Sequence, residues 1–187
     1  AVYVAGSDAT LDHTLIRGTL PRASDDTVGM GIYAKVSNGL RANLTVVSSV
    51  IEKNQDLSVF VLGSDADISQ TVVRDTFAQS SDSTFGMGVV VREDGTERGV
   101  LNLRSSLIDN NRDCGVFVVG SDATIEQTVV RNTRAQLSDS KYGEGIEVID
   151  EAGQRGNLSV TSSVLDNNTS TRPSSGSRLR RNPTKCR

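Results

Sequence analysis

The chain has 187 residues, of which 36% are hydrophobic, and a formal net charge of −3 at pH 7. This length fits one domain, and with the 17 glycines included the apolar content reaches the globular range, which excludes wholesale disorder. No apolar run is long enough to span a membrane, and the body carries no basic stripe that would attract a nucleic-acid backbone, so neither a membrane span nor a nucleic-acid partner is expected.

The chain repeats itself from its first residues onward. The tetrapeptide Gly-Ser-Asp-Ala at residues 6–9 returns at 63–66 and at 120–123, a constant offset of 57 residues. Each copy also matches itself at an offset of 35, since residues 124–132 align with residues 159–167. The chain therefore holds three repeats of two units each, or six units in all.

Within a unit the apolar residues alternate, as Val116 and Val118 do on either side of Phe117. This period of two residues predicts short strands, bounded by Gly, Asn, Asp and Ser. One such unit cannot bury its apolar face alone, but stacked units pair each strand in parallel with its copies above and below. We therefore expect an all-β fold over residues 1–168, a parallel β-helix of about six coils, and right-handed winding from the general crossover rule.

The motif Gly-Val-x-Val at residues 115–118, followed by Ala-Thr-Ile-x-x-Thr-Val-Val-x-Asn at 123–132, resembles the right-handed parallel β-helix repeat proteins of the pectate-lyase-like superfamily. The resemblance implies a secreted or surface-exposed protein, commonly bacterial. The superfamily includes polysaccharide lyases, glycoside hydrolases and adhesins, so the resemblance does not select a function. The lyases of this superfamily use clustered calcium-binding acids, and the hydrolases use close aspartates. Neither pattern is visible in this sequence, so the resemblance assigns no catalytic residue.

Stacking turns each aligned position into a row of side chains that runs up the solenoid. One row alternates in charge at every coil, and opposite charges on neighbouring strands stabilise their pairing. We interpret this row as a structural device: Arg17, Glu52, Arg74, Asp109, Arg131 and Asp166. A second row is hydroxylic throughout and predicts a turn that satisfies backbone groups: Thr14, Ser49, Thr71, Ser106, Thr128 and Ser163.

A third row is aromatic in part and should point outward, because its neighbours must fill the interior. Its candidate binding residues are Tyr3, Tyr33, Phe60 and Phe117, while Val90 and Glu147 occupy the remaining coils. The rings could stack on sugars as an exposed face, or the long loop around residues 81–85 and its copies could cover them. We favour the covering loop.

Repeated acids recur at every second coil, roughly 10 Å apart, which is too far for a pair of catalytic carboxylates or for one shared calcium ion. We interpret the aspartate of each Gly-Ser-Asp triplet as a turn residue that accepts hydrogen bonds from nearby backbone N–H groups. Calcium chelation within a single loop is the alternative, and no other cofactor or metal is expected. The three repeated sets are Asp8, Asp65 and Asp122; Asp25, Asp82 and Asp139; and Glu52, Asp109 and Asp166.

Catalytic residues should break a perfect repeat, and four residues do so: His13, Asp67, Arg104 and Cys114. His13 has no expected carboxylate or serine partner, whereas Asp67 and Arg104 fall on adjacent coils and predict a surface ion pair. Cys114 is expected to be a free thiol, because a disulfide would require Cys186 in the tail to fold back.

The chain begins inside a strand, which predicts further coils before residue 1. Residues 169–187 depart from the repeat and predict a disordered basic tail, with six cations in its last 17 residues: Arg172, Arg178, Arg180, Arg181, Lys185 and Arg187.

Together these features predict a non-catalytic extracellular or surface module that acts as a spacer or as a binding surface for a glycan or a protein. A carbohydrate-active enzyme, or a fragment of one, is the alternative. The sequence does not fix the oligomeric state.

Overall fold

The computed structural model describes residues 1–170, which contain eighteen strands and no helix. The first repeat holds β1 (Val2–Ala5), β2 (Asp8–Asp12), β3 (Leu15–Arg17), β4 (Ile32–Lys35), β5 (Asn43–Val47) and β6 (Val50–Glu52). The second holds β7 (Leu57–Leu62), β8 (Asp65–Ser69), β9 (Val72–Arg74), β10 (Met87–Arg92), β11 (Val100–Arg104) and β12 (Leu107–Asp109). The third holds β13 (Cys114–Val119), β14 (Asp122–Glu126), β15 (Val129–Arg131), β16 (Glu144–Ile149), β17 (Asn157–Thr161) and β18 (Val164–Asp166).

Every third strand joins the same sheet, which gives three sheets of six strands. Sheet A contains β1, β4, β7, β10, β13 and β16, sheet B runs from β2 to β17, and sheet C runs from β3 to β18. All ladder pairings are parallel, and Val72 pairs with both Val50 and Leu107, its equivalents one coil earlier and one coil later. This confirms an all-β parallel β-helix of six coils, built from three repeats of two coils each.

The three sheets enclose one continuous apolar core. Alternate residues of each strand point inward, so Val89 and Val91 of β10 and Leu101 and Leu103 of β11 are all fully buried. Ile108 supplies the inward residue of β12 and is also fully buried. The two-residue period that predicted the strands therefore also determines which side chains form the core.

The corner between sheets B and C is built from the hydroxyl row, and its predicted role is confirmed. The hydroxyl of Ser49 accepts a hydrogen bond from the backbone N–H of Thr14 at 3.0 Å and donates to the carbonyl of Val47 at 2.7 Å. The backbone N–H of Thr71 donates in the same way to the hydroxyl of Ser106 at 3.1 Å. Each hydroxyl thus satisfies backbone groups that the turn leaves outside the ladders.

An asparagine occupies the corner between sheets C and A once in each repeat, fully buried at Asn54 and Asn111 and half-buried at Asn168. The side-chain oxygen of Asn111 accepts from the backbone N–H of Thr76 at 3.2 Å and from its hydroxyl at 2.7 Å, while its Nδ2 donates to the carbonyl of Val73 at 3.2 Å. Asn54 and Asn168 accept in the same manner from the coil before them. An amide suits this position because it offers a donor and an acceptor together.

Sheet A carries a second, outer apolar layer. Phe85 lies in the loop between β9 and β10 and belongs to a buried cluster with Val90, Phe117 and Val119, which point away from the interior. This layer forms where long loops enter sheet A, such as residues 75–86 between β9 and β10.

Of the predicted tail, the structure describes Thr169 and Ser170. The backbone N–H of Thr169 still donates to the carbonyl of Thr133 at 2.9 Å, in the manner of the coils below. The remaining tail residues, 171–187, together with Cys186, lie outside the described residues. Within residues 1–170 no helix is long and apolar enough to cross a membrane.

Candidate functional site

An aromatic stack stands on the outer face of sheet A in the first three coils. Tyr3, Tyr33 and Phe60 are cross-strand partners in successive strands of the sheet. The rings of Tyr33 and Phe60 lie parallel, with centroids 5.1 Å apart and an interplanar angle of 11°. Tyr3 meets Tyr33 edge-on, with centroids 5.5 Å apart. The β-helix repeat therefore places three rings in one continuous column.

This column is accessible to solvent on one side. Tyr3 is 63% exposed, and Tyr33 and Phe60 are half-buried. Burial, and secondly the nearness of Tyr3, raises the pKa of the Tyr33 hydroxyl above its usual value. The Tyr33 hydroxyl can act as a hydrogen-bond donor and as an acceptor.

The same row is covered in the later coils. Phe117 is 1% exposed and lies in the outer apolar cluster with Phe85, so it is not part of an exposed face. Val90 and Glu147 are also buried. The two interpretations of the row thus apply to different coils: rings are open in the first three coils and enclosed further on. The exposed part of the aromatic row is limited to Tyr3, Tyr33 and Phe60.

A pocket of about 320 Å³ opens at the corner between sheets C and A. It spans the second to the fifth coil, and we call it the corner pocket. Its lining is Lys53, Asp75, Thr76, Phe77, Asn110, Arg112 and Arg134.

The corner pocket combines three cations with an exposed aromatic ring. Arg112 and Arg134 lie on adjacent coils and form a parallel bridge, so two guanidinium groups occupy consecutive positions of one row. Phe77 stands in the same row and is 49% exposed. The sequence reasoning missed this site. Comparing repeats could have found it, because Gln55 and Phe77 are replaced by Arg112 and Arg134 at the offset of 57.

Comparison with known proteins agrees with this architecture. A family described as "Right handed beta helix region" matches residues 1–180. The chain belongs to this right-handed β-helix family. The match confirms the right-handed winding that was expected from the crossover rule. No curated protein and no solved structure matches the chain.

In this β-helix the alternating charge row lies on sheet C, in the order in which the sequence places it. Arg74 pairs in register with Glu52 on one side and with Asp109 on the other. The Nη2 atom of Arg74 is 2.6 Å from Glu52 Oε2, and Nη2 of Arg131 is 3.3 Å from Asp109 Oδ2. The ends of the row, Arg17 and Asp166, pair in register with Glu52 and Arg131.

The aspartates of the Gly-Ser-Asp triplets correct one expectation. Asp65 and Asp122 do not depend on nearby backbone N–H groups, since their carboxylates accept from the guanidiniums of Arg41 and Arg98. The Nε atoms of these arginines donate at 3.0 and 2.9 Å. The arginine lowers the pKa of the Asp122 carboxyl below its usual range, and a hydrogen bond from Asn157 contributes. These arginine–aspartate pairs were not predicted from the sequence, because each arginine is 24 residues from its acid and lies in a loop of the neighbouring coil.

The residues that break the repeat do not converge on one site. His13 lies on the exposed surface with Nδ1 2.7 Å from Asp12, so its carboxylate partner is its neighbour in sequence, contrary to the expectation that it has none. Arg104 and Asp67 form the predicted exposed ion pair at 3.5 Å.

Cys114 is fully buried, and its Sγ lies 3.3 Å from Glu147 Oε2. The ligand atoms of Cys114, Glu144 and Glu147 lie within 4.8 Å of one another. Within residues 1–170 this is the group of side chains that could hold a metal ion. A cysteine sulfur is a poor ligand for calcium, which takes oxygen ligands, and would suit a softer metal such as zinc.

Proposed function

We propose that this β-helix is a non-catalytic, secreted or surface-exposed repeat module that binds glycans through the column formed by Tyr3, Tyr33 and Phe60. The observation that carries the proposal is the column itself, in which rings 5.1 and 5.5 Å apart remain open to solvent on an otherwise regular sheet. Membership in the β-helix family supports a repeat module in general.

A column of rings suits a carbohydrate because the apolar C–H face of a pyranose packs on an aromatic face, while its hydroxyls reach polar groups beside it. The rings are held in place by strand pairing and by each other, so little side-chain entropy is lost when a sugar binds. The hydroxyls of Tyr3 and Tyr33 add donors at the edge of the face.

The non-catalytic part of the proposal rests on how the repeated carboxylates are used. Asp65 and Asp122 are each engaged by an arginine, and Asp109 by Arg131. Such carboxylates stabilise the stacked coils and are poorly available as a general acid or base.

A glycan array followed by calorimetry with the neutral glycan that binds best tests the binding. Tyr33→Ala and Phe60→Ala should each reduce the affinity at least about tenfold, since each removes a stacking surface. Phe77→Ala removes an exposed ring outside the column and should leave the affinity for neutral glycans unchanged. Equal loss in all three variants, or no ligand on the array, would overturn the binding face.

The same preparation should be inert toward polysaccharides. Assays for unsaturated products and for new reducing ends, run across neutral and acidic polymers, are expected to give no signal above a boiled control. Reproducible turnover of any polymer would establish the rival function, a carbohydrate-active enzyme.

A further inference from the structure

Three cationic groups of the corner pocket have no ion-pair partner in the part of the chain that the structure describes: Lys53, Arg112 and Arg134. The pocket contains one carboxylate, that of Asp75. Its Oδ1 accepts from Asn110 Nδ2 at 2.6 Å, and its Oδ2 lies 3.7 Å from Arg74 Nε, outside the pocket lining. The lining therefore has a formal charge of +2, and its acid is already engaged.

This arrangement contrasts with the charge rows elsewhere on the molecule. Arginines on sheet C alternate with acids, whereas Arg112 and Arg134 are adjacent in their row and repel each other. Burial and, secondly, the charge of Arg134 lower the pKa of the Arg112 guanidinium below its usual value. The sheet C row pairs Arg74 and Arg131 with acids, whereas the corner pocket keeps uncompensated positive charge.

We propose that the corner pocket binds a phosphate monoester carried on a ring, such as a sugar phosphate. The phosphate lies between the guanidiniums of Arg112 and Arg134 and the ammonium of Lys53, and the ring packs on Phe77.

The chemistry of the pocket matches this class of ligand in charge and in shape. A phosphate monoester has a charge of about −1.5 to −2 near neutral pH, which offsets the +2 of the lining. Guanidinium groups donate in pairs to phosphate oxygens, and two of them on bridged backbone segments about 4.8 Å apart present donors to different oxygens of one tetrahedral group. The exposed Phe77 ring offers an apolar face to the remainder of the ligand.

The site also has room and a rigid frame. Its cavity of about 320 Å³ falls at the lower end of the range for small-molecule sites. The backbone of Arg134 is fixed by hydrogen bonds to Asn111 and Asp113, both at 2.9 Å, and Arg112 Nη1 donates to the carbonyl of Ala135 at 3.3 Å.

Titration calorimetry with glucose 6-phosphate, glucose 6-sulfate, glucuronate, glucose and inorganic phosphate tests the proposal. Glucose 6-phosphate should bind with a dissociation constant on the order of 1 mM or below, and the singly charged sulfate and carboxylate sugars should bind at least about fivefold more weakly. No binding of glucose 6-phosphate at about 10 mM, or equal affinity for all three anions, would overturn the proposal.

Variants of the lining locate the binding. Arg112→Gln and Arg134→Gln should each weaken glucose 6-phosphate about tenfold, while Arg104→Gln, on sheet B, should not. Arg134 is exposed, and its side chain makes no structural hydrogen bond among the described residues. Arg134→Gln therefore removes the positive charge without unfolding the protein. Phe77→Ala should weaken glucose 6-phosphate and leave inorganic phosphate unchanged, whereas equal effects on both would refute the ring contact.

This site is separate from the aromatic column and goes beyond the proposed function. Tyr33→Ala should leave glucose 6-phosphate binding intact, so failure of the corner pocket and failure of the glycan-binding face are distinguished within one set of variants.

Discussion

Asp56 is a buried carboxyl group in the corner that leads into sheet A. It is 5% exposed, and its backbone carbonyl accepts from the N–H groups of Gly86 and Met87 at 2.9 and 3.1 Å. Burial, reinforced by the negative charge of Asp82, raises the pKa of this carboxyl to about 7. The folded protein therefore holds a proton that the unfolded chain releases at a lower pH.

Asp56→Asn should change the pH dependence of stability. Because the folded-state pKa lies above the unfolded one, the free energy of unfolding falls as pH rises from about 4 to about 7, and then levels off. Asparagine does not ionise, so the variant does not lose stability at this position as pH rises. It should be more stable than the parent by roughly 2–4 kcal/mol at about pH 8 and similar to it at about pH 4.

Urea unfolding across this pH range measures the effect. Asp26→Asn is the matched control, since Asp26 has a similar left-handed backbone but lies exposed in a loop. A parent protein whose stability does not fall between these pH values would contradict the prediction.

Asp109 is the centre of the alternating charge row, between Arg74 and Arg131. Asp109→Arg should place three positive charges on consecutive strands and destabilise the fold by on the order of 1 kcal/mol. The loss should shrink at high salt because the flanking arginines, Arg74 and Arg131, are exposed to solvent.

Chemical unfolding at low and at high salt checks this prediction. Asp150→Arg makes the same charge change at an exposed position outside the row. If both reversals cost the same at low salt, the row has no special role in stacking.

At the scale of the element, the corners distinguish this solenoid from a plain stack of strands. The hydroxyl corner joins sheets B and C, and the asparagine corner joins sheets C and A. Just after the asparagine corner, Gly115 of β13 admits the next coil closely, because a Cβ there would lie 2.6 Å from the carbonyl oxygen of Gly145. The absence of a side chain at this position of sheet A thus allows the two coils to approach.

Asn111→Ala should be strongly destabilising, because it leaves the N–H of Thr76 and the carbonyl of Val73 without their buried partner. We expect a loss of roughly 2–4 kcal/mol. Asn102→Ala, at a half-buried outward position of β11, should cost far less. Denaturant midpoints of the two variants give the comparison, and equal midpoints would contradict a structural role for the asparagine corner.

At the scale of the whole molecule, strand pairing joins each coil only to the coils beside it, and a few loop contacts, such as the ion pair of Arg92 with Glu151, reach two coils away. The stability of such a solenoid is a sum of coil and interface contributions, so the position of a residue along the axis matters as much as its type. Ile108 is fully buried in the fourth coil, whereas Leu165, in the same row of sheet C, is 52% exposed in the sixth.

Ile108→Ala should cost roughly 3 kcal/mol, and Leu165→Ala roughly 1 kcal/mol, because the former loses packing against two neighbouring coils. Denaturant unfolding gives both values. Hydrogen exchange should also be faster in β18 than in β12 of the parent protein. Equal losses in the two variants would show that packing along the axis is uniform.

The repeat by itself determined the strands, their parallel pairing and the order of the charge and hydroxyl rows. These features follow because a residue and its copy 57 positions later occupy equivalent positions, so register is readable from alignment alone. The pairing of Arg74 with Glu52 and Asp109 follows from the offsets of 57 and 35 residues alone.

Only the tertiary structure decided which surfaces are open. The loops that enter sheet A differ between repeats, and whether Phe85 encloses Phe117 while Tyr3 stays exposed depends on how those loops pack. The corner pocket has the same origin, since Lys53, Phe77 and Arg134 come from three coils and meet at a bend that strand periodicity does not describe. Strand pairing fixes where each repeated residue lies. The corner pocket, in contrast, is formed by residues that differ between the repeats and that only folding brings together.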